Sequence, residues 1–139
     1  MVMAEQTAGY RELEHTADVE LEVWAPDMPS LLEQAARGLY ALSGVTLQNG
    51  TRVKRSLEVS APDRETLLVS FLSELLYLNE AEGLAFDTFD LKLNGNVLLA
   101  HLEGAPVQSQ AKEVKAVTYH KLAIREGERG LEVNIVFDI

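Results

Sequence analysis

Pro62-Asp63-Arg64-Glu65-Thr66-Leu67-Leu68-Val69-Ser70-Phe71-Leu72-Ser73-Glu74-Leu75-Leu76-Tyr77-Leu78 decides how this chain folds. Asp63 has the short acceptor side chain that caps a helix start. Behind it Leu67, Leu68, Phe71, Leu72, Leu75, Leu76 and Leu78 recur at helical spacing, and Glu82-Gly83 closes the run. That apolar face is too wide for a helix lying on a surface with one side in water. The helix is therefore expected as the central core element. With Ser70, Ser73 and Glu74 inside it, the stretch is also too short and too polar for a bilayer span, which needs about 20 apolar residues.

Upstream, Asp27 is a second N-cap, Pro29 suits a first helical turn, and Ser43-Gly44 supplies a stop. Met28, Leu31, Leu32, Ala35, Leu39 and Leu42 give a helix from about Met28 to Leu42. Before it, Val19, Leu21 and Val23 alternate with Glu20, Glu22 and Trp24, the period of a half-buried strand. Tyr10 to Glu14 either extends that strand or forms a short one of its own. Residues 1–9 are expected as a flexible tail, leaving 10–139 as one domain.

Between the helices Val53, Leu57, Val59 and Ala61 mark a strand whose apolar face Arg55 interrupts. Everything after Gly83 has strand periodicity. Phe89, Leu91 and Leu93 run into Asn94-Gly95, a strong hairpin signal, and Val97 and Leu99 return. A loop around Pro106, a long strand from Val114 to Ile124 and a turn at Gly127 to Gly130 follow. Leu131, Val133, Ile135, Phe137 and Ile139 then alternate to the end. The order predicts an α+β fold, two helices packed on a mainly antiparallel β-sheet.

The 139 residues carry 12 Lys and Arg against 22 Asp and Glu, a formal net charge of −10, and contain no cysteine. Disulfides, thiol nucleophiles and zinc–thiolate clusters are thereby excluded. The acidic balance argues against autonomous nucleic-acid binding, which needs clustered Lys and Arg. Two small basic groups, Arg52-Lys54-Arg55 and Lys112-Lys115-Lys121-Arg125, read as solvated strand faces that a protein partner could use. No export signal or membrane segment is evident, so a cytoplasmic location is expected. Glycine-rich phosphate loops, nucleophile elbows and paired metal-binding histidines are missing. His15, His101 and His120 are scattered, as structural strand or turn histidines would be.

Two clusters need more than a structural explanation. Asp18 closes Glu14-His15-Thr16-Ala17-Asp18 and lies opposite in facing to Val19, Leu21 and Val23. A turn residue bonding local amides is the ordinary reading. At the other end, Asp138 projects from the face opposite Phe137 and Ile139, and Ile139 adds its α-carboxylate. Should Asp18 approach, three carboxylates would converge, and their repulsion would call for a hard divalent cation, calcium or magnesium. The alternative is an edge strand with a solvated Asp138. Spacing leaves that choice open. Lys115, on a strand face with Val117 and Tyr119, points where it could act on such a group or simply meet solvent.

His15-Thr16-Ala17-Asp18, Glu113-Val114-Lys115-Ala116-Val117-Thr118-Tyr119-His120 and Phe137-Asp138-Ile139 together resemble the archease family. Ala35-Ala36-Arg37-Gly38-Leu39 and Ser73-Glu74-Leu75-Leu76-Tyr77-Leu78 resemble its two helices, so the likeness runs from Tyr10 to the last residue. It implies an archease-like fold and a non-enzymatic partner of the GTP-dependent tRNA-splicing RNA ligase of the RtcB type. Such a partner promotes transfer of GMP to the ligase's histidine and so permits repeated turnover. It further implies that Asp18, Asp138 and Ile139 hold a divalent cation, calcium first, with Lys115 and His15 near the phosphates or the partner. The chain departs from the family in its short Val107–Ala111 loop, in Glu20 where a small residue is common, and in Phe71 where a Trp is common. The rival readings are a metal-dependent phosphohydrolase and a general RNA or protein chaperone.

Overall fold

The computed structural model describes residues 7–13 and 18–139. Within them the order is β1 (Gly9–Leu13), β2 (Val19–Ala25), α1 (Met28–Ser43), β3 (Thr46–Leu47), β4 (Val53–Ser60), α2 (Arg64–Glu82), β5 (Leu84–Asn94), β6 (Val97–Ser109), β7 (Ala116–Val117), β8 (Arg125–Gly127) and β9 (Gly130–Asp138). Every strand pairing among them is antiparallel. The α+β expectation of two helices on antiparallel strands holds, but the strands form two sheets, not one.

Both helices begin and end as their caps dictate. Asp27 accepts from the Ser30 amide at 2.9 Å and Asp63 from the Thr66 amide at 2.7 Å. These bonds satisfy amides that a first turn leaves without partners. At the far ends Gly44 (φ 66°) and Gly83 (φ 65°) take the left-handed conformation that returns their N–H groups to the last turn. Leu67, Leu68, Phe71, Leu72 and Leu75 of α2 are all sealed from solvent. The helix touches β4, β5 and β6 of one sheet and β7 of the other, as well as α1, which explains its wide apolar face. The interrupting Arg55 reaches out to Glu82 at the end of α2, 2.6 Å away.

In the four-stranded sheet β6 is the spine. β4 and β5 both pair along Val97–Gly104 and so hold its two edges. The Asn94-Gly95 hairpin forms as predicted. Pro106, expected in a loop, instead lies within β6. It needs no donor there, because its carbonyl accepts from Gln48 and the next amide, Val107, bonds Gly83.

The five-stranded sheet runs β1-β2-β9-β7, with β8 also on β9. Tyr10 and its neighbours form a separate strand, and Gly9 and Ala8, expected in the tail, already belong to this ladder and its core. Val19, Leu21 and Val23 of β2 and Val133, Ile135 and Phe137 of β9 are buried. Their alternates Glu20, Glu22, Trp24, Glu132 and Asn134 form the outward face.

The long strand expected from Val114 to Ile124 is broken. Only Ala116–Val117 joins the ladder, and Val117, expected on the face of Lys115 and Tyr119, is buried while those two are exposed. The chain then leaves the sheet through a turn in which the Leu122 amide bonds the Tyr119 carbonyl. Glu65 in the first turn of α2 captures the Ile124 amide at 2.8 Å. The chain rejoins β9 only at Arg125.

Candidate functional site

Val19 faces Phe137 in the β2–β9 ladder, with both side chains directed into the core. Asp18 is the residue before Val19 and Asp138 the residue after Phe137. Both aspartates therefore adjoin the last pair of the β2–β9 ladder, Asp18 in the bend that enters β2 and Asp138 at the end of β9. Asp138, alternating with the buried Phe137, is exposed on the outward side.

The other edge of β9 carries β7, where Ala116 faces Asp138 and Val117 faces Phe137. The Lys115 amide donates to the Asp138 carbonyl at 2.8 Å, and the Thr118 amide to the Val136 carbonyl at 3.0 Å. The final strand is therefore flanked on both sides and is not an edge. Asp18, Lys115, Asp138 and Ile139, separated by up to 121 positions, share one end of one sheet. His15 lies outside the described residues. Ile139 was expected to continue the buried face; it is 42% exposed, one residue past the end of β9.

Lys115 is exposed and borders a groove of about 520 Å³ between α2 and the segment leading into β7. Asn79 of α2 fixes one wall by donating to Gln110 at 3.1 Å, and Gln110 in turn donates to the Lys112 carbonyl at 2.9 Å. Among the described residues no three His, Cys, Asp or Glu side chains gather closely enough to hold an ion. The side-chain oxygens nearest this sheet end in sequence are those of Asp18 and Asp138. An all-oxygen set of this kind fits calcium or magnesium and does not suit zinc.

Several charges elsewhere are paired. Arg52 pairs with Asp87 and with Glu103, and its guanidinium holds the Asp87 carboxyl below the usual carboxylate range. With Arg55 on Glu82, the first basic group, read from the sequence as a solvated face, is exposed but ion-paired. His101, bonded to Ser56 at 3.0 Å, is a strand histidine. Sequence reasoning did not find the polar row behind Asp138, where Asn134 bridges Glu20 and Arg125. The alternation of Glu132, Asn134 and Asp138 against the buried residues of β9 was the available signal.

The Archease protein family (MTH1598/TM1083) matches residues 10–139. The protein archease of Methanosarcina barkeri is 30% identical, the alignment covering 99% of this chain and all of the relative. That of Pyrococcus furiosus is 35% identical over 83% of this chain and 87% of its own. The solution structure of Methanobacterium thermoautotrophicum protein 1598 superposes with a TM-score of 0.73 at 23% identity, over 94% of this chain and 99% of that one, a likeness of fold. No helix among the described residues is long and apolar enough to cross a membrane.

Proposed function

Because the chain belongs to the archease family, we propose that it acts in the cytoplasm as a non-enzymatic activator of the GTP-dependent tRNA-splicing RNA ligase of the RtcB type. The observation that carries this reading is the β2–β9–β7 register, which gathers Asp18, Asp138, Ile139 and Lys115 at one sheet end.

Asp18, Asp138 and the carboxylate of Ile139 would hold a divalent cation, calcium first and magnesium as the alternative. When bound, such an ion supplies positive charge toward phosphoryl oxygens. The chain's own contribution is rigidity. Val19 and Phe137 are locked in the core, which anchors the backbone next to each aspartate. Lys115, tied by its backbone to Asp138, brings an ammonium group to the same end, available to the carboxylates or to the phosphates of the ligase's nucleotide. Inserted near that nucleotide, the sheet end would stabilise charge developing as GMP passes to the ligase's histidine.

The test is guanylylation of purified ligase over repeated cycles with wild-type, Asp18→Ala or Asp138→Ala protein. The expected result is stimulation by the wild type alone, with both variants folded. Equal stimulation by all three removes the sheet end from the mechanism.

A further inference from the structure

Behind the carboxylates, on the same outward face, a cavity of about 310 Å³ is lined by Glu20, His120, Lys121, Arg125, Asn134 and Val136. A liquid water takes up about 30 Å³, so the space suits an occupant several times larger.

The two cations of the pocket are outside the ion pairs that hold the arginines elsewhere on the described surface. Arg11 pairs with Glu22, Arg37 with Glu33, Arg52 with Asp87, Arg55 with Glu82, and Arg129 with Glu22 and Glu132. Among the described residues neither Lys121 nor Arg125 has a carboxylate within 4.0 Å. For Arg125 this is not for want of a neighbour. It faces Glu132 across the β8–β9 ladder, but Glu132 is taken by Arg129, which stacks over the Trp24 ring at 4.2 Å. Arg125 donates instead to the Asn134 side-chain oxygen at 3.2 Å, while the Asn134 amide donates to Glu20 at 2.7 Å. Asn134 thus stands between the acid and the guanidinium and fixes both.

Lys121 adds a second, independent sign. At φ 52° it is the one non-glycine residue with a positive φ among the described residues. A side chain is disfavoured there and glycine is not. Backbone strain of this kind collects where a side chain is needed in a particular place.

We infer that this pocket binds a compact polyphosphate, inorganic or carried by a nucleotide, through the Arg125 guanidinium and the Lys121 ammonium group. Guanidinium and ammonium donors form strong charge-assisted bonds to phosphoryl oxygens. The net charge of −10 repels a long polyanion, whereas a short one can set its charge against these two cations alone. The inference needs neither a metal nor the ligase.

The experiment is titration of the full chain with pyrophosphate in excess EDTA, followed by calorimetry and by amide NMR shifts. Saturable binding is expected, with shifts centred on the Asn134 side-chain amide and His120. The Lys121→Gly/Arg125→Gln protein should bind at least about tenfold more weakly. Arg125→Lys, which keeps the charge, should retain most of the affinity and guards against a folding artefact. Competition by GTP that exceeds competition by pyrophosphate would assign a nucleotide as the source; equal competition would assign the phosphates alone. Absence of saturable binding, shifts centred on Arg52 and Arg55, or equal affinity in the double variant would overturn the inference.

Discussion

Lys115 gives its backbone N–H to the carbonyl of Asp138 at 2.8 Å, so the lysine segment and the final strand are joined by the ladder itself. The same strand faces β2 on its other edge, with Val19 against Phe137. If the sheet end holds a divalent ion, that ion binds the folded state alone and stabilises it. At a concentration about 100 times the dissociation constant the gain is about 2.7 kcal/mol. Calcium should therefore raise the melting temperature of the wild type, with Asp18→Asn and Asp138→Asn each abolishing most of the rise. Differential scanning calorimetry with calcium and with EDTA checks this.

Extending the chain by one residue after Ile139 moves the carboxylate while leaving every core residue in place. Ile139 is 42% exposed, so the extension meets solvent and not packing. The expected outcome is an unchanged melting temperature in EDTA with ligase stimulation lost. Full stimulation by the extended protein would remove the Ile139 carboxylate from the site.

Phe137 is sealed from solvent directly beside Asp138. Phe137→Ala should cost about 3–5 kcal/mol from lost transfer energy and the cavity left behind. Urea unfolding measures it. The site should suffer as well, since the aspartate's position depends on its neighbour's packing.

Acid should weaken the Arg52–Asp87 link. The folded carboxyl of Asp87 is lowered, first by its hydrogen bond from Arg52. The contribution is therefore complete above the unfolded carboxyl pKa, about 3.9, and disappears as pH falls through the lower folded value. Arg52→Gln should lose a little stability at neutral pH and none once Asp87 is protonated in both states. Unfolding curves at pH 7 and near pH 2 separate the two cases. The effect is small because both partners lie in solvent.

Lys121→Gly should stabilise the fold. The left-handed conformation costs a side-chain-bearing residue roughly 1–2 kcal/mol, partly offset by the greater freedom of glycine when unfolded. A net gain of up to about 1 kcal/mol by urea unfolding is expected, alongside weaker pyrophosphate binding. Stability and binding moving in opposite directions would mark the strain as functional.

Local chemistry was legible in the sequence wherever a short-range cause decides the outcome. Asp27, Asp63, Gly44 and Gly83 cap both helices where their side chains, or lack of one, require. Alternation found β2 and β9 and even assigned Asp138 to the outward side. The division into two sheets was not legible, because it depends on which edges of β6 and β9 are occupied. Val114 to Ile124 read as one strand because its apolar residues suggest alternation. What breaks it, Glu65 gripping the Ile124 amide from α2, is a contact across 59 positions. The pairing of β2 with β9, which brings Val19 beside Phe137, is longer in range still, and only the family resemblance pointed to it. The Asn134 row was not legible because the residue at its centre is a neutral amide, and its two charged partners lie 114 and 9 positions away.

The most direct measurement is a crystal structure of the full chain grown with calcium. The account predicts one ion at the end of the five-stranded sheet, with oxygens of Asp18, Asp138 and Ile139 about 2.3–2.6 Å away. An ion bound elsewhere, or these three groups turned away from one another at saturating calcium, would contradict it.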